Sequence, residues 1–316
     1  MEENCNVLPG ITIFNEDNQN VMSSLADESV DVICIDPPYL YLKGQKLDKQ
    51  FDEHKFFLEC RRMLKNDGFI VVFGRGTSFY RWNNILSDLK FVFKEEIIWD
   101  KIRTSSPVNV ISRRHETIAI YSKKSTSALN KVYLPYAYVK QHDVKSIKQD
   151  LSRIMSALNN PRSLWQLNHF LETGEVIFDS KKTLKNKITA GGTVKERDRA
   201  VGTLKTIVGG TIESSIIKEK REHYSTIHPT QKPVKLIERL LALVVKNKEA
   251  VVADFFAGSM SCMEAVYNLG LKGIGVEIDD EYFENGKKRL LSLVPQLRKS
   301  RSEEHTSELQ SLACIS

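Results

Sequence analysis

The apolar run Val30-Asp31-Val32-Ile33-Cys34-Ile35 ends at Asp36 against two consecutive prolines, Pro37 and Pro38. Its length and β-branched content predict a buried strand. Proline cannot donate to a sheet ladder and holds the preceding residue extended, so pairing has to stop there. A carboxylate (Asp36) and an aromatic ring (Tyr39) are thereby presented together at a strand end.

The same grammar recurs along the chain. Ile11 to Phe14 predicts a short strand, followed by Asp17 and a helix through Val21, Met22 and Leu25. Asp17 closes that strand as Asp36 closes the next, and an N-cap role accounts for it equally well on local grounds. Leu40 to Phe51 is lysine-rich and polar, the composition of a surface loop. The spacing of Phe56, Phe57, Cys60, Met63 and Leu64 predicts a helix that stops at Asn66-Asp67-Gly68. Phe69 to Phe73 predicts a buried strand and Phe79 to Leu89 a helix. Two more strands, Phe91 to Trp99 and Thr117 to Tyr121, bracket a polar stretch holding Arg103, Arg113 and Arg114. Alternation of this kind predicts an α/β fold, a doubly wound, mixed but mainly parallel sheet with ligands at the carboxyl ends of its strands.

From Ser122 to about His223 the character changes. Lysine and arginine outnumber the acids in its second part, and Gly191-Gly192 and Gly209-Gly210 bound what read as short β-like runs. A solvated, loop-rich insertion accounts for this composition, and so does a basic substrate-reading subdomain. Then His228-Pro229-Thr230-Gln231-Lys232-Pro233 makes a rigid turn into an amphipathic helix through Leu236, Leu240 and Val244. Val251 to Phe256 predicts a strand, Ala257-Gly258-Ser259 a turn into a helix from Cys262, and Gly273 to Ile278 a further strand carrying Glu277. A strand, a glycine turn, a helix and an acid about 20 residues on is the arrangement that holds a ribose hydroxyl. The lack of G-x-G-x-x-G argues against a pyrophosphate-bearing dinucleotide and for a nucleoside cofactor such as S-adenosylmethionine.

The 316 residues suffice for a large α/β core, and the formal net charge of +6 is compatible with a polyanionic partner. Five scattered cysteines without metal-ligand spacing argue for a reducing, cytoplasmic compartment and against a zinc site. The polar start and the lack of a long apolar run argue against a signal peptide or membrane span.

The chemistry that Asp36 to Tyr39 suits is methylation of an exocyclic amine on a nucleobase. That amine's lone pair is delocalised into the ring. Two acceptors, the Asp36 carboxylate and the Pro37 carbonyl, can each take one N–H and draw the nitrogen toward tetrahedral geometry. The Tyr39 ring can stack on a base taken out of the duplex. A plain strand-to-loop turn also explains the tetrapeptide taken alone.

Asp36-Pro37-Pro38-Tyr39, His228 to Pro233 and Asp254-Phe255-Phe256-Ala257-Gly258-Ser259, in that order, resemble the β group of DNA amino-methyltransferases. The resemblance implies a Rossmann-like fold in which residues 1–124 form the catalytic half and 224–299 the S-adenosylmethionine-binding half. Residues 125–223 would be the target-recognition region. It implies that Asp36, Pro37, Pro38 and Tyr39 bind and activate the amine, with Asp36 also near the cofactor. Asp254, Phe255, Phe256, Ala257, Gly258 and Ser259 would line its methionine part, Glu277 with Ile278 its ribose, and Asp17 its adenine ring. His228, Thr230, Gln231 and Lys232 would form a cofactor-side loop. Arg113-Arg114-His115-Glu116 matches the family's basic loop followed by His-Glu, and Arg103, Arg113 and Arg114 would contact duplex DNA. Asp before Pro-Pro-Tyr resembles the adenine-N6 subgroup, with cytosine-N4 as the alternative. Methylation of a protein or RNA amine shares this chemistry, but the motif order and the basic insert favour DNA. A homodimer and a cognate restriction endonuclease would be further partners, in a bacterial or phage-encoded system.

Two features depart from the pattern. Met260 stands where the family usually has glycine, which would suit a DNA-binding homologue with impaired catalysis if the side chain faced the ligand. Arg301 to Ser311 resembles the in-frame translation of a sequencing adapter, so the natural chain is expected to end near Lys299, with residues 300–316 foreign to the fold.

Overall fold

Each apolar run becomes a strand in the computed structural model of the chain, which describes residues 4–39, 50–103, 110–112, 114–141, 143–186, 192–221 and 226–300. The tail beyond residue 300 and Arg113 lie outside the described residues. The chain divides into two compact units, Met1–Lys131 with Ser214–Ser316, and Val132–Glu213.

The first unit begins with β1 (Asn4–Leu8), β2 (Ile11–Phe14), α1 (Asn18–Ser24), β3 (Val30–Ile35) and α2 (Glu53–Met63). β4 (Leu64–Gly74), α3 (Gly76–Asp88), β5 (Val92–Asp100) and β6 (His115–Ser122) follow. The second unit then supplies β7 (Tyr133–Leu134), α4 (Tyr136–Lys140), α5 (Val144–Met155), α6 (Pro161–Thr173), β8 (Phe178–Asn186), β9 (Gly192–Arg197), α7 (Arg199–Gly209) and β10 (Thr211–Ile212). The chain returns to the first unit with β11 (Ile216–Lys218), α8 (Val234–Val244), β12 (Val251–Asp254), α9 (Ser261–Asn268), β13 (Lys272–Val276) and α10 (Asp280–Ser300).

The nine described strands of the first unit form one sheet, in the order β1-β2-β13-β12-β3-β4-β6-β5-β11. From β2 through β13, β12 and β3 to β4 all pairings are parallel, while β6 runs antiparallel to both β4 and β5. The order explains where the site must be. β3 continues outward to β4 through α2, whereas β12 continues in the opposite direction to β13 through α9. The sheet therefore switches direction between β3 and β12, and a crevice opens beyond their carboxyl ends. Register places Ala253 beside Ile33, so Asp254 is level with Cys34 and Asp36 projects just past it.

The helices bury the faces that their periodicity announces. Phe56, Phe57, Cys60 and Met63 of α2 join Val21 and Met22 of α1 and Trp82 and Leu86 of α3 over Ile33, Ile35, Ile70 and Val72. Each such aromatic or aliphatic side chain contributes about 1.5–3 kcal/mol on full burial. Asp17 is the N-cap of α1 and Asp52 that of α2, each accepting a backbone N–H of the first turn.

Two local expectations are corrected. Helix α2 ends at Met63 rather than at Asn66-Asp67-Gly68, because Leu64 already pairs with Val30 of β3 and belongs to β4. Between the glycine pairs only β9 is extended. The stretch Arg199–Gly209 is helical, started by Asp198, whose carboxylate accepts the Ala200 and Val201 N–H groups.

The second unit has its own small core of Ala157, Leu167, Phe170, Ala200 and Val201 among α5, α6 and α7. Ser163 of α6 donates to Asp198 at 2.6 Å, tying α6 to the start of α7. Strands β7 and β10 pair antiparallel, as do β8 and β9. On the exposed side of α6, Trp165 stacks on His169. This unit is narrower than the 125–223 span expected for the insertion.

Candidate active site

Four strand ends converge on one cavity of about 420 Å³ in the first unit, a volume suited to a nucleoside-sized ligand. β3 delivers Asp36, Pro37, Pro38 and Tyr39; β2 delivers Asp17; β12 delivers Asp254 with the turn Phe255 to Ser259; β13 delivers Glu277 and Ile278. The turn before α8 closes it with His228, Thr230, Gln231 and Lys232. All the catalytic and cofactor candidates read from the sequence thus line the same space. Among the described residues no cluster of His, Cys, Asp and Glu could hold a metal ion.

The Asp36 end is polar and tightly partnered. The Tyr39 hydroxyl donates to Asp36 Oδ1 at 2.5 Å, and Lys232 Nζ donates to Asp36 Oδ2. Tyr39 is held further by Ser78, whose hydroxyl donates to the Tyr39 carbonyl, and by Trp82, whose ring lies 5.9 Å from its own. Burial pushes the Asp36 carboxyl above its ordinary range, while the Lys232 ammonium and the Tyr39 hydroxyl hold it down. Lys232 has a second carboxylate beside it, Glu116 at 3.4 Å, and Glu116 in turn accepts from Lys101. These two cations draw the Glu116 carboxyl down to about 2 against the upward push of its burial. The sequence points to Glu116 only as the acid of the His-Glu motif, with no chemical role, and to Lys101 only as a charged residue at the edge of a polar stretch.

The other end carries acids over an apolar floor. Glu277 accepts the Gly258 N–H at 2.8 Å and the Asp279 N–H at 2.9 Å, and burial raises its pKa. Asp254 accepts the Phe256 N–H at 3.0 Å; burial, with Asp36 and Glu277 nearby, pushes its pKa up to about 7. Gly258 has φ of +49°, and a Cβ there would come within 3.3 Å of the His228 ring, so glycine favours both the left-handed turn and its close approach to the histidine. The His228 ring packs edge-on against Tyr282, and burial lowers its pKa to about 4, so it is neutral at physiological pH. Carboxylates poised at two strand ends above Phe255, Phe256 and Ala257 suit a cationic nucleoside: hydroxyls and positive charge for the acids, an aromatic base for the floor.

Met260 does not line the cavity. It holds a left-handed conformation (φ +58°) and is fully buried, with its side chain packed toward Gly275 of β13 and Gly286 of α10. Nor do Arg103 and Arg114, two of the arginines proposed for DNA, lie there. Arg103 is exposed, and Arg114 is bidentate on Asp100 at 2.7 and 2.8 Å, joining the end of β5 to the start of β6.

The sequence model of the family described as DNA methylase (N6 and N4 type) matches residues 30–288. The type II methyltransferase M.HpaI of Haemophilus parainfluenzae is 25% identical over 281 residues, covering 85% of this chain and 70% of that protein. In fold, the chain is similar to the M1.HpyAVI–SAM complex, with a TM-score of 0.50 at 20% identity over 88% of this chain and 99% of that one. It is likewise similar to the cytosine-N4-specific PvuII DNA methyltransferase, with a TM-score of 0.53 at 14% identity over 92% and 93% of the two chains. With a family match over most of its length and the Asp36–Tyr39, His228–Lys232 and Asp254–Ser259 motifs gathered around one cavity, the chain belongs to the DNA methylases and uses S-adenosylmethionine as methyl donor.

Proposed function

We propose that the protein methylates the N6 amine of an adenine flipped out of duplex DNA. The observation that carries this reading is the juxtaposition, at the switch point of the sheet, of Asp36, Tyr39 and Asp254 in one cavity. Asp36 and the Pro37 carbonyl accept the two N–H groups of the amine, freeing its lone pair, while Tyr39 stacks on the ring. The bound cofactor supplies an electrophilic methyl group on a sulfonium, so the chain's own contribution is alignment and the two acceptors. Asp254, Phe256 and the Gly258 turn hold its methionine end, Glu277 and Ile278 its ribose, and Asp17 its base. The proton released from nitrogen passes to Asp36 or to solvent.

Asp rather than Ser before Pro-Pro-Tyr supports adenine over cytosine. Met260, the one feature that favoured an inactive homologue, packs behind the cavity, which supports activity. The unit Val132–Glu213 reads the target sequence, helped by Arg103, Arg113 and Arg114 on the catalytic unit, in a cytoplasmic protein. A homodimer and a cognate restriction endonuclease are its further partners; size-exclusion chromatography with light scattering tests the first. Among the described residues no helix is long and apolar enough to cross a membrane.

The test is expression in a methylation-deficient bacterial host, followed by sequencing that reports modified bases. N6-methyladenine in one sequence context, lost in Asp36→Ala, is the expected result. N4-methylcytosine overturns the base assignment, and no modification from a folded protein overturns the reaction.

A further inference from the structure

We propose that Lys232 and Asp36 together read the target base as an acceptor–donor pair: the carboxylate takes an N6–H of adenine and the ammonium donates to ring nitrogen N1. The inference rests on the adenine reading above and deepens it, assigning base recognition to a residue expected on the cofactor side.

The geometry supports this in three ways. First, Lys232 Nζ donates to Asp36 Oδ2, so a cationic donor stands directly beside the acceptor that receives the amine. In adenine the exocyclic amine and N1 share one carbon, a donor beside an acceptor. The carboxylate–ammonium pair offers the complement, as the carbonyl and N–H of a pairing thymine do. Second, Nζ lies 6.0 Å from the centre of the Tyr39 ring, within reach of the edge of a base lying on that ring. Third, the charge is held in place from behind. Lys232 is only 8% exposed, Glu116 Oε2 stands 3.4 Å from Nζ, and Glu116 Oε1 accepts from Lys101. Glu116 Oε2 has no hydrogen-bond partner within bonding geometry, so its part is electrostatic, fixing the ammonium and offsetting its charge near the reacting nitrogen. Two carboxylates and two ammoniums in a largely buried row are an expensive way to pack a protein, since apolar side chains of the same volume would serve stability as well. A second ligand for the row is the simplest reason for its form. Glu116 and Lys101 are on this view positioning residues for Lys232.

The experiment uses the full chain and a duplex carrying the site mapped as described above, with the target adenine replaced by 1-deazaadenine or 7-deazaadenine. Removing N1 from the substrate is expected to lower kcat/KM for wild-type protein by about 10- to 100-fold, the size of a hydrogen bond to a charged group. Removing N7 is expected to change it less than threefold, roughly within the noise of a lost solvent contact. Loss of N1 also weakens pairing with thymine and eases flipping, so a fall in rate cannot come from the duplex. In Lys232→Met the ratio between adenine and 1-deazaadenine should collapse toward one, and Glu116→Gln should shrink it, whereas a purely structural role would slow both substrates alike. Equal rates for adenine and 1-deazaadenine with wild-type protein overturn the proposal without any variant, and so does an undiminished ratio in a folded Lys232→Met. Failure of wild-type protein to methylate any adenine duplex would instead refute the functional reading, and the inference with it.

Discussion

Replacing Met260 by glycine separates packing from ligand binding in the cofactor turn. The left-handed backbone at Met260 costs about 1–2 kcal/mol for a residue with a side chain, so glycine relieves strain there. Against this stands a fully buried side chain at the junction of β13, α9 and α10. Its thioether sulfur would lie 3.2 Å from a Cβ on Gly275, and a Cβ on Gly286 would overlap its Cγ. Two glycines thus make the space that this methionine fills. Truncating a buried methionine costs about 2–5 kcal/mol, and the extra backbone freedom of glycine in the unfolded chain adds roughly 0.5–1 kcal/mol. Met260→Gly should therefore destabilise the protein by about 0.5–5 kcal/mol in sum, centred near 3 kcal/mol. Urea unfolding followed by circular dichroism should show a lower midpoint at unchanged slope. Titration calorimetry should give S-adenosylmethionine affinity within about threefold of wild type, because the side chain backs the cavity without lining it. A gain in stability, or a tenfold loss of affinity at unchanged stability, would refute the reasoning. Gly286→Ala should cost about 1–3 kcal/mol through overpacking, and less on the Met260→Gly background, since the two sites share one space.

Asp36→Ala should reduce methylation by about 100- to 1,000-fold in a single-turnover assay, and lower stability by roughly 3 kcal/mol because Lys232 loses its nearest partner. Folding linkage at Asp254 has a definite sign. Its folded pKa of about 7 lies above the ordinary aspartate value of 3.8, so its contribution to stability is full below the latter and lost as pH rises toward 7. Cofactor affinity runs the opposite way if the carboxylate faces a cation. Calorimetry should show it rising by up to about tenfold per pH unit to near pH 7 and flat above, and Asp254→Asn should abolish the slope. Asp198→Ala removes the cap of α7 and the partner of Ser163. It should loosen the Val132–Glu213 unit by about 1–3 kcal/mol in hydrogen exchange, weakening DNA binding but not cofactor binding.

Much of the architecture was local information and could be read without coordinates. The run Val30–Ile35 stopped by two prolines, the acid about 20 residues beyond a glycine turn, and the phenylalanines of α2 at helical spacing each constrain only their immediate neighbourhood, through backbone sterics and periodicity. That sufficed to predict a doubly wound sheet, and the resemblance to the amino-methyltransferases then singled out the cavity residues from Asp17 to Ile278. Where one local signal was overruled, a partner strand did it, as when β3 drew Leu64 out of α2. Where one was overlooked, it was Asp198, a cap hidden between two glycine pairs.

The tertiary structure alone decided what was distant in the chain. Lys232 meets Asp36 across 196 residues of sequence, and Glu116 and Lys101 complete a row of charges that no spacing rule connects. Coulombic partners are chosen by proximity in space, after the sheet order is set, so charge type at a position does not disclose them. The direction of Met260 was likewise undecidable from its position in the turn. It depended on whether β13 and α10 left room behind the cavity, and Gly275 and Gly286 leave that room.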